Sequence, residues 1–393
     1  MRVLHVTAYF APAYGFGGPP RSLLALCRAQ RQAGMAVDVF TTTANAGARL
    51  PAHPEGVDVE GVPVSYFPVS APAALLGATS MRRALGLAAV DADLIHIHGL
   101  FNRTVWMGAS IARAAGVPSI VSPRGMLEPA ALAHHRWRKR ASWQLFDRRA
   151  LHGAAAWHAT SHAEAEALRL RDRDKLIAEI PNSVEPVNVD EAARLEARQS
   201  AGVPAGAPYV LFLGRIHPIK RLDLLAAAFA LVRASVPAAH LVIAGPDERG
   251  HRARVEPLFA PIAANVHWCG EVDGRRKAGL VSGATTLVLC SDSESFGMSV
   301  AEALIASVPA VVTRTCPWPM LDTVKCGFWV PQTPEALARG LIHVLSDLDE
   351  ARAMGRRGHE LVAREFGAPA VAARWAAFYR DVAAMRGSRQ ESR

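Results

Sequence analysis

Two charged clusters in the second half of the chain have the residue types and spacing to hold a phosphorylated ligand and draw charge from it. The segment Ser291-Asp292-Ser293-Glu294-Ser295-Phe296-Gly297-Met298-Ser299-Val300-Ala301-Glu302 follows a short apolar run, Thr286 to Cys290, and opens an apolar helical stretch. A strand, a tight turn and a helix start leave the first helical amides, near Gly297, Met298 and Ser299, without intrahelical acceptors, and the helix dipole favours an anion there. Glu294 and Glu302 stand eight positions apart, about two helical turns, so both can point into one cleft. Read alone, the segment equally allows a Glu294 that only complements the dipole and a solvated Glu302. The second cluster, Gly214-Arg215-Ile216-His217-Pro218-Ile219-Lys220-Arg221, follows the apolar run Tyr209 to Leu213. Arginine makes forked contacts to phosphate oxygens and lysine supplies a compact charge, which suits a diphosphate leaving group. Taken alone, this run reads as a solvated basic loop.

The elements that must position these clusters are legible as alternation. In the first half, Val3 to Thr7, Val37 to Thr41, Val64 to Phe67, Leu94 to His98, Ser119 to Ser122 and Ala156 to Thr160 read as buried strands. Helical spacing over Arg21 to Ala33, Thr104 to Ala115 and His135 to Leu151 separates them. The rhythm restarts at Tyr209 to Leu213 and runs through His240 to Ala244, Val266 to Trp268, Thr286 to Cys290 and Ala310 to Val312. Strands alternating with helices imply mainly parallel, doubly wound sheets. At 393 residues two cores are expected. The predicted domains are an N-terminal Rossmann-like domain over 1–185, a connection over 186–207, a second Rossmann-like domain over 208–366, and a C-terminal helix and tail over 367–393 that pack back on the first. Two such sheets imply a cleft at the carboxyl ends of their strands.

The two clusters together are far more specific than either apart. The chain resembles family 4 of the retaining glycosyltransferases, of the α/β GT-B fold with two facing Rossmann-like domains and a central donor cleft. Its marks are Glu-x7-Glu, here Glu294 and Glu302, and Gly-Arg-x4-Lys, here Gly214, Arg215 and Lys220. The likeness extends to Gly17-Gly18, Asp93-Leu94-Ile95-His96-Ile97-His98-Gly99, Ile180-Pro181-Asn182, Ile243-Ala244-Gly245-Pro246 and Val308-Pro309-Ala310-Val311. The resemblance implies transfer of a hexose-type sugar, with retention, from a nucleotide diphosphate sugar to a saccharide or lipid-linked acceptor in polysaccharide or glycolipid assembly. It places Glu294 on the donor sugar, Glu302 on the ribose, Arg215 and Lys220 on the diphosphate, Gly17 and Gly18 near the donor phosphates, and the turn Phe296 to Ser299 around the donor. Front-face attack, with the departing phosphate accepting the acceptor proton, needs no protein base. Two positions depart from the family pattern. Ser122-Pro123-Arg124-Gly125 carries arginine where a histidine is common, and arginine is no base near neutral pH, so Arg124 is expected to stabilise charge or fix the acceptor. Ser183 replaces a glycine after Pro181-Asn182.

No metal or other cofactor is expected. Asp91 and Asp93 precede their strand, and Asp172 with Asp174 and Asp347 with Asp349 lie in polar helix-flanking stretches. His96 and His98 are expected on opposite faces of their strand, His98 toward the acceptor side and His96 structural. The stretch from His134 to Arg149 mixes basic and aromatic residues on one predicted helix and suits an anionic membrane surface. The net charge of +9 permits an anionic partner, but no nucleic-acid motif accompanies it. Five scattered cysteines without CxxC spacing and an N-terminus that enters a strand directly suit a reducing cytoplasm, with peripheral contact at the inner face of a membrane. A sugar-nucleotide epimerase of the same fold and a non-catalytic nucleotide-sugar-binding partner are the alternatives; the Arg and Lys clamp argues against the first and the intact motifs against the second. A dehydrogenase is disfavoured because Gly15-Phe16-Gly17-Gly18 lacks GxGxxG with its later acidic ribose contact.

Overall fold

Near-continuous apolar runs mark strands covered on both faces, and those runs form two sheets in the computed structural model. It describes residues 1–46, 48–128, 131–132, 136–186, 189–272 and 274–391, the last six by backbone alone. One unit comprises Met1–Ser183 with Ala368–Arg393, the other Val184–Gly367. Strands of the first are β1 (Arg2–Thr7), β2 (Ala36–Thr42), β3 (Ala44–Asn45), β4 (Ala48–Arg49), β5 (His53–Val59), β6 (Val62–Phe67), β7 (Leu94–His98), β8 (Ser119–Ser122), β9 (Ala156–Ala159) and β10 (Ile177–Glu179). Eight of them form one sheet in the order β10-β9-β8-β7-β1-β2-β6-β5, parallel except where β5 returns antiparallel to β6.

The second unit has β11 (Tyr209–Leu213), β12 (His240–Ala244), β13 (Val266–Gly270), β14 (Thr286–Leu289), β15 (Ala310–Thr313) and β16 (Gly327–Val330). Their order, β13-β12-β11-β14-β15-β16, is all parallel and is the doubly wound order 3-2-1-4-5-6. Both units are therefore Rossmann-like α/β folds.

Two helices differ from the sequence reading. Within the stretch read as a connection, the helix Glu191–Ser200 is part of the second unit. Its Ala193 and Ala197 lie so close to Gly279 that a Cβ there would sit 2.5 Å from the Ala193 carbonyl oxygen. The predicted helix from His135 to Leu151 begins, among the described residues, at Arg136 and is interrupted by a π-helical turn over Trp143–Asp147. That turn brings a buried Asp147 carboxylate to the Phe101 amide at 2.7 Å and Trp106 Nε1 at 2.9 Å; π turns of this kind re-aim a residue inside a helix. The helix Ala368–Glu391 returns to the first unit, where Val371, Trp375, Tyr379 and Val382 are buried with Leu23, Leu24 and Cys27. Each fully buried large side chain of this set contributes roughly 1.5–3 kcal/mol, which fastens the end of the chain to the first sheet.

Candidate functional site

In the second unit the strand order reverses between β11 and β14, and ligands of open α/β sheets bind beyond the carboxyl ends of strands at such a reversal. The loops leaving these two strands carry the two charged clusters. Several contacts tie them together: the Asp292 amide donates to the Ile219 carbonyl at 2.8 Å, and the Arg221 guanidinium donates to Asp292 Oδ1 at 2.9 Å. Arg221 itself adopts a left-handed φ of 53°, which reverses the chain into the helix Leu222–Ser235. The result is an ion pair between Lys220 Nζ and Glu294 Oε1, with 16% and 14% of the side chains exposed, and Ser291 Oγ donates to the same carboxylate oxygen at 2.7 Å. Arg215 pairs with Glu248 at the next loop. Gly214 and Gly245 touch: a Cβ on Gly245, whose φ is +147°, would lie 1.9 Å from the Gly214 carbonyl oxygen.

The turn after β14 ends at Gly297, at a φ of 83°, which starts the helix Met298–Ile305 with no side-chain cap on its first amides. Met298 and Ser299 are half-buried at that start, and Glu302 projects from the first turns to pair with Lys277 Nζ at 2.6 Å. Phe296 is placed differently from the expectation of a donor contact. Its ring is buried between Trp318 and Phe366, with centroids 5.5 and 5.6 Å away, and its carbonyl accepts the Trp318 indole N–H at 2.5 Å. An apolar ring next to a tight turn gains more from the core than from a polar ligand, so Phe296 braces the turn. The counter-ions Glu248 and Lys277, the hydroxyl of Ser291 and the brace Trp318 were not singled out in the sequence.

In the first unit the order reverses between β1 and β7, and a pocket there is lined by Thr7, Ala8, Tyr9, Pro19, Leu23, His98, Gly99, Asn102, Arg124 and Met126. Gly17, at a φ of 84°, precedes the helix Gly18–Gln32, and an added Cβ on Gly18 would meet nothing within 4 Å. Arg124 follows β8 at a φ of 57°. Its guanidinium donates to Asn182 Oδ1 at 2.7 Å and to His98 Nδ1 at 3.2 Å, which joins the Arg124 loop to the Ile180-Pro181-Asn182 segment. Burial lowers the Arg124 pKa, and the buried Glu164 carboxylate opposes this. Glu164 in turn accepts the Gly125 amide at 2.6 Å.

The expectation that His96 and His98 face opposite ways is overturned: their ring centroids are 4.0 Å apart. Side chains alternate along a strand, so residues two apart share a face. Both lie beside His5 of β1, at 5.2 Å, and His158 of β9 stands 6.1 Å from His96. Burial pushes the His5 pKa down to about 4 and that of His158 down to about 3, and holds His96 and His98 well below the ordinary range. Nitrogen atoms of His5, His96 and His98 lie within 4.8 Å of one another, close enough to hold a metal ion. The Arg124 guanidinium on His98 and the bonds that both nitrogens of His5 and His96 already make oppose a cation there.

Residues 17–183 match the family model of the glycosyl transferase 4-like domain, and residues 193–361 match that of the glycosyl transferases group 1. A curated relative, the D-inositol 3-phosphate glycosyltransferase of Xylanimonas cellulosilytica, is 28% identical over 93% of this chain and 92% of its own. Among solved structures, sucrose-phosphate synthase from Thermosynechococcus elongatus is similar with a TM-score of 0.76 at 20% identity, over 98% of this chain and 99% of that one. The Anabaena protein Alr3699/HepE in complex with UDP and glucose is similar with a TM-score of 0.72 at 17% identity, over 97% of this chain and 100% of that one.

Proposed function

The chain belongs to the group 1 glycosyl transferases of the GT-B fold, and from that premise we propose that it is a retaining enzyme that works without a metal. It moves a hexose-type sugar from a nucleotide diphosphate sugar to a saccharide or lipid-linked acceptor, in the assembly of a cell-surface polysaccharide or glycolipid. The observation that carries this reading is the Lys220–Glu294 pair, held over the strand reversal of the second unit beside an uncapped helix start.

Departure of a nucleoside diphosphate builds negative charge on phosphate while the sugar becomes oxocarbenium-like. Lys220 and Arg215 would meet that charge, with the amides at Gly297 to Ser299; preorganised donors of this kind contribute about 3 to 4 kcal/mol each in other enzymes. Their present carboxylate partners, Glu294 and Glu248, keep the cations oriented and are free to turn to sugar hydroxyls once phosphate takes their place. Glu302, held by Lys277, is assigned to the ribose hydroxyls. The departing phosphate takes the acceptor proton, so Arg124 needs only to bind and orient the acceptor, with His98 behind it. The curated relative is named for an inositol phosphate acceptor; a phosphorylated polyol is accordingly the first acceptor to offer.

The helix after Arg136 supports a docking role at the cytoplasmic face of a membrane. Trp137, Leu145 and Phe146 are exposed at 73%, 67% and 45%, among exposed Arg136, Arg138, Arg140, Arg148 and Arg149. Apolar side chains flanked by cations suit an anionic headgroup layer; His134, part of the same predicted stretch, lies outside the described residues. Among the described residues no helix is long and apolar enough to cross a membrane.

A thermal-shift screen of the purified protein against UDP, GDP, ADP and CMP and their common sugar conjugates, with and without EDTA, tests the reading. A selective stabilisation that survives EDTA is expected; no shift with any nucleotide overturns it.

A further inference from the structure

We propose that Tyr379 of the C-terminal helix and the buried histidines of the first sheet form one directional chain of hydrogen bonds that orients the Arg124 guanidinium. Tyr379, Gln30, His5 and His98 are thereby positioning residues that act through Arg124. The consequence for transfer rests on Arg124 belonging to the acceptor side, as proposed above, whereas the chain itself rests on geometry alone.

The direction follows link by link from what each group can donate. A guanidinium only donates, so its 3.2 Å contact makes His98 Nδ1 an acceptor and places the His98 proton on Nε2. That proton goes to His5 Nδ1 at 2.9 Å, which leaves His5 Nε2–H to donate to Gln30 Oε1 at 2.8 Å. The Gln30 amide nitrogen donates to the Tyr379 hydroxyl at 2.9 Å, and that hydroxyl donates to His96 Nδ1 at 2.7 Å. His96 Nε2–H donates to Ser122 Oγ at 2.6 Å, and the Ser122 hydroxyl donates to His158 Nδ1 at 2.7 Å. His158 Nε2–H ends the run on the Ile180 carbonyl at 2.7 Å.

The far end is an independent check. A carbonyl only accepts, so working backwards from Ile180 assigns the same tautomer to His158, the same hydroxyl orientation to Ser122 and the same proton position to His96. A donor-only group at one end and an acceptor-only group at the other demand one direction, and no link between them is frustrated. Ile180 lies two residues before Asn182, whose Oδ1 accepts the other arm of Arg124 at 2.7 Å, so both ends of the run meet the same segment.

Tyr379 is the link that holds the Gln30 amide in its orientation. Without its hydroxyl, Gln30 can turn its nitrogen toward His5, and the protons of His5 and His98 would shift to their Nδ1 atoms. A proton on His98 Nδ1 faces the guanidinium donor and expels it. Loss of one hydroxyl on the last helix is therefore felt at Arg124, although the two side chains share no bond.

The test is side-chain NMR of the full chain labelled with 15N at histidine and arginine. At pH 7 the wild type should show His5, His96, His98 and His158 each as a neutral Nε2–H tautomer; any one of them in the Nδ1–H form, or charged, overturns the chain. In Tyr379→Phe a second, Nδ1–H form of His98 should appear, and the separate Nη–H signals of the bonded Arg124 should merge as the group rotates freely. A variant whose His98 and Arg124 signals match the wild type overturns the coupling, and if the variant does not fold the wild-type tautomers decide. The acceptor role of Arg124 fails separately, through kinetics of Arg124 variants.

Discussion

At the scale of single residues, the charges that would stabilise a leaving diphosphate are already paired within the protein. Lys220 sits on Glu294 and Arg215 on Glu248, so each cation is oriented before any phosphate arrives, and orientation in advance is what makes such donors effective. Lys220→Ala and Glu294→Ala should each reduce the transfer rate by about 100- to 1,000-fold with circular dichroism unchanged; wild-type rates in both would sink the site assignment. Arg124→His removes the two-armed contact to Asn182 and His98. A charge-assisted hydrogen bond contributes about 1.5–3 kcal/mol, so the acceptor KM should rise roughly tenfold or more while donor affinity stays within about twofold. A donor affinity that falls as far as the acceptor's would move Arg124 to the donor side. The motif residues were legible because Glu-x7-Glu and Gly-Arg-x4-Lys are local spacings. Their counter-ions were not, since Glu248 lies 33 residues from Arg215 and Lys277 lies 25 residues from Glu302, and only the folded sheet brings them together. The pairing of His96 with His98 was within reach of the sequence, because period two puts both on one face.

At the scale of elements, the loop after β11 keeps its place because two glycines touch. Gly245 pairs its amide with Gly270 at 2.7 Å while its α-carbon approaches the Gly214 carbonyl. A methyl group there meets that oxygen and also carries a φ that side chains rarely adopt. Gly245→Ala should therefore destabilise the second unit by about 2 to 4 kcal/mol, a drop of roughly 5 to 15 °C in its unfolding temperature; scanning calorimetry that finds no drop refutes the close approach. Gly18→Ala is the contrast, since nothing lies within 4 Å of its added methyl. Its stability should match the wild type, and a loss of donor affinity without a loss of stability would place the Gly17-Gly18 loop at the donor. Most of the parallel strands were readable because burial on both faces makes them apolar throughout; the short edge strands β10 and β16, only partly buried, were not. Strand β5 was not, because an edge strand with a mostly exposed, polar sequence, His53 to Val59, has no such signature. The π turn at Trp143–Asp147 escaped for a related reason: its helical spacing is broken by one residue whose partners, Phe101 and Trp106, are supplied by another part of the chain.

At the scale of the whole molecule, the four buried histidines make the first unit sensitive to acid. Their folded pKa values lie below the ordinary value of 6.5, chiefly through burial, with the charge of Arg124 adding to the effect and, at His96 and His98, the neighbouring histidines adding to it as well. The unfolded chain takes up protons below pH 6.5 that the folded unit refuses, so stability rises with pH across this range. The contribution is fully present above about pH 6.5 and is lost as pH falls toward the folded values, about 4 for His5. A displacement of that size in His5 alone corresponds to roughly 3 kcal/mol. Tyr379 links this behaviour to the end of the chain, because its hydroxyl bonds both His96 and Gln30. Calorimetry from pH 7.5 to 4.5 should therefore show the first unit's unfolding temperature constant down to about pH 6.5 and then falling by several degrees per pH unit. The histidine tautomers should persist until that unit unfolds, because a histidine that must charge to lose its bonds does so only as the core around it opens. An unfolding temperature that stays level from pH 7 to 5, or histidines that titrate with the unit still folded, would mean the rings are open to water and their hydrogen bonds are not held as the structure draws them.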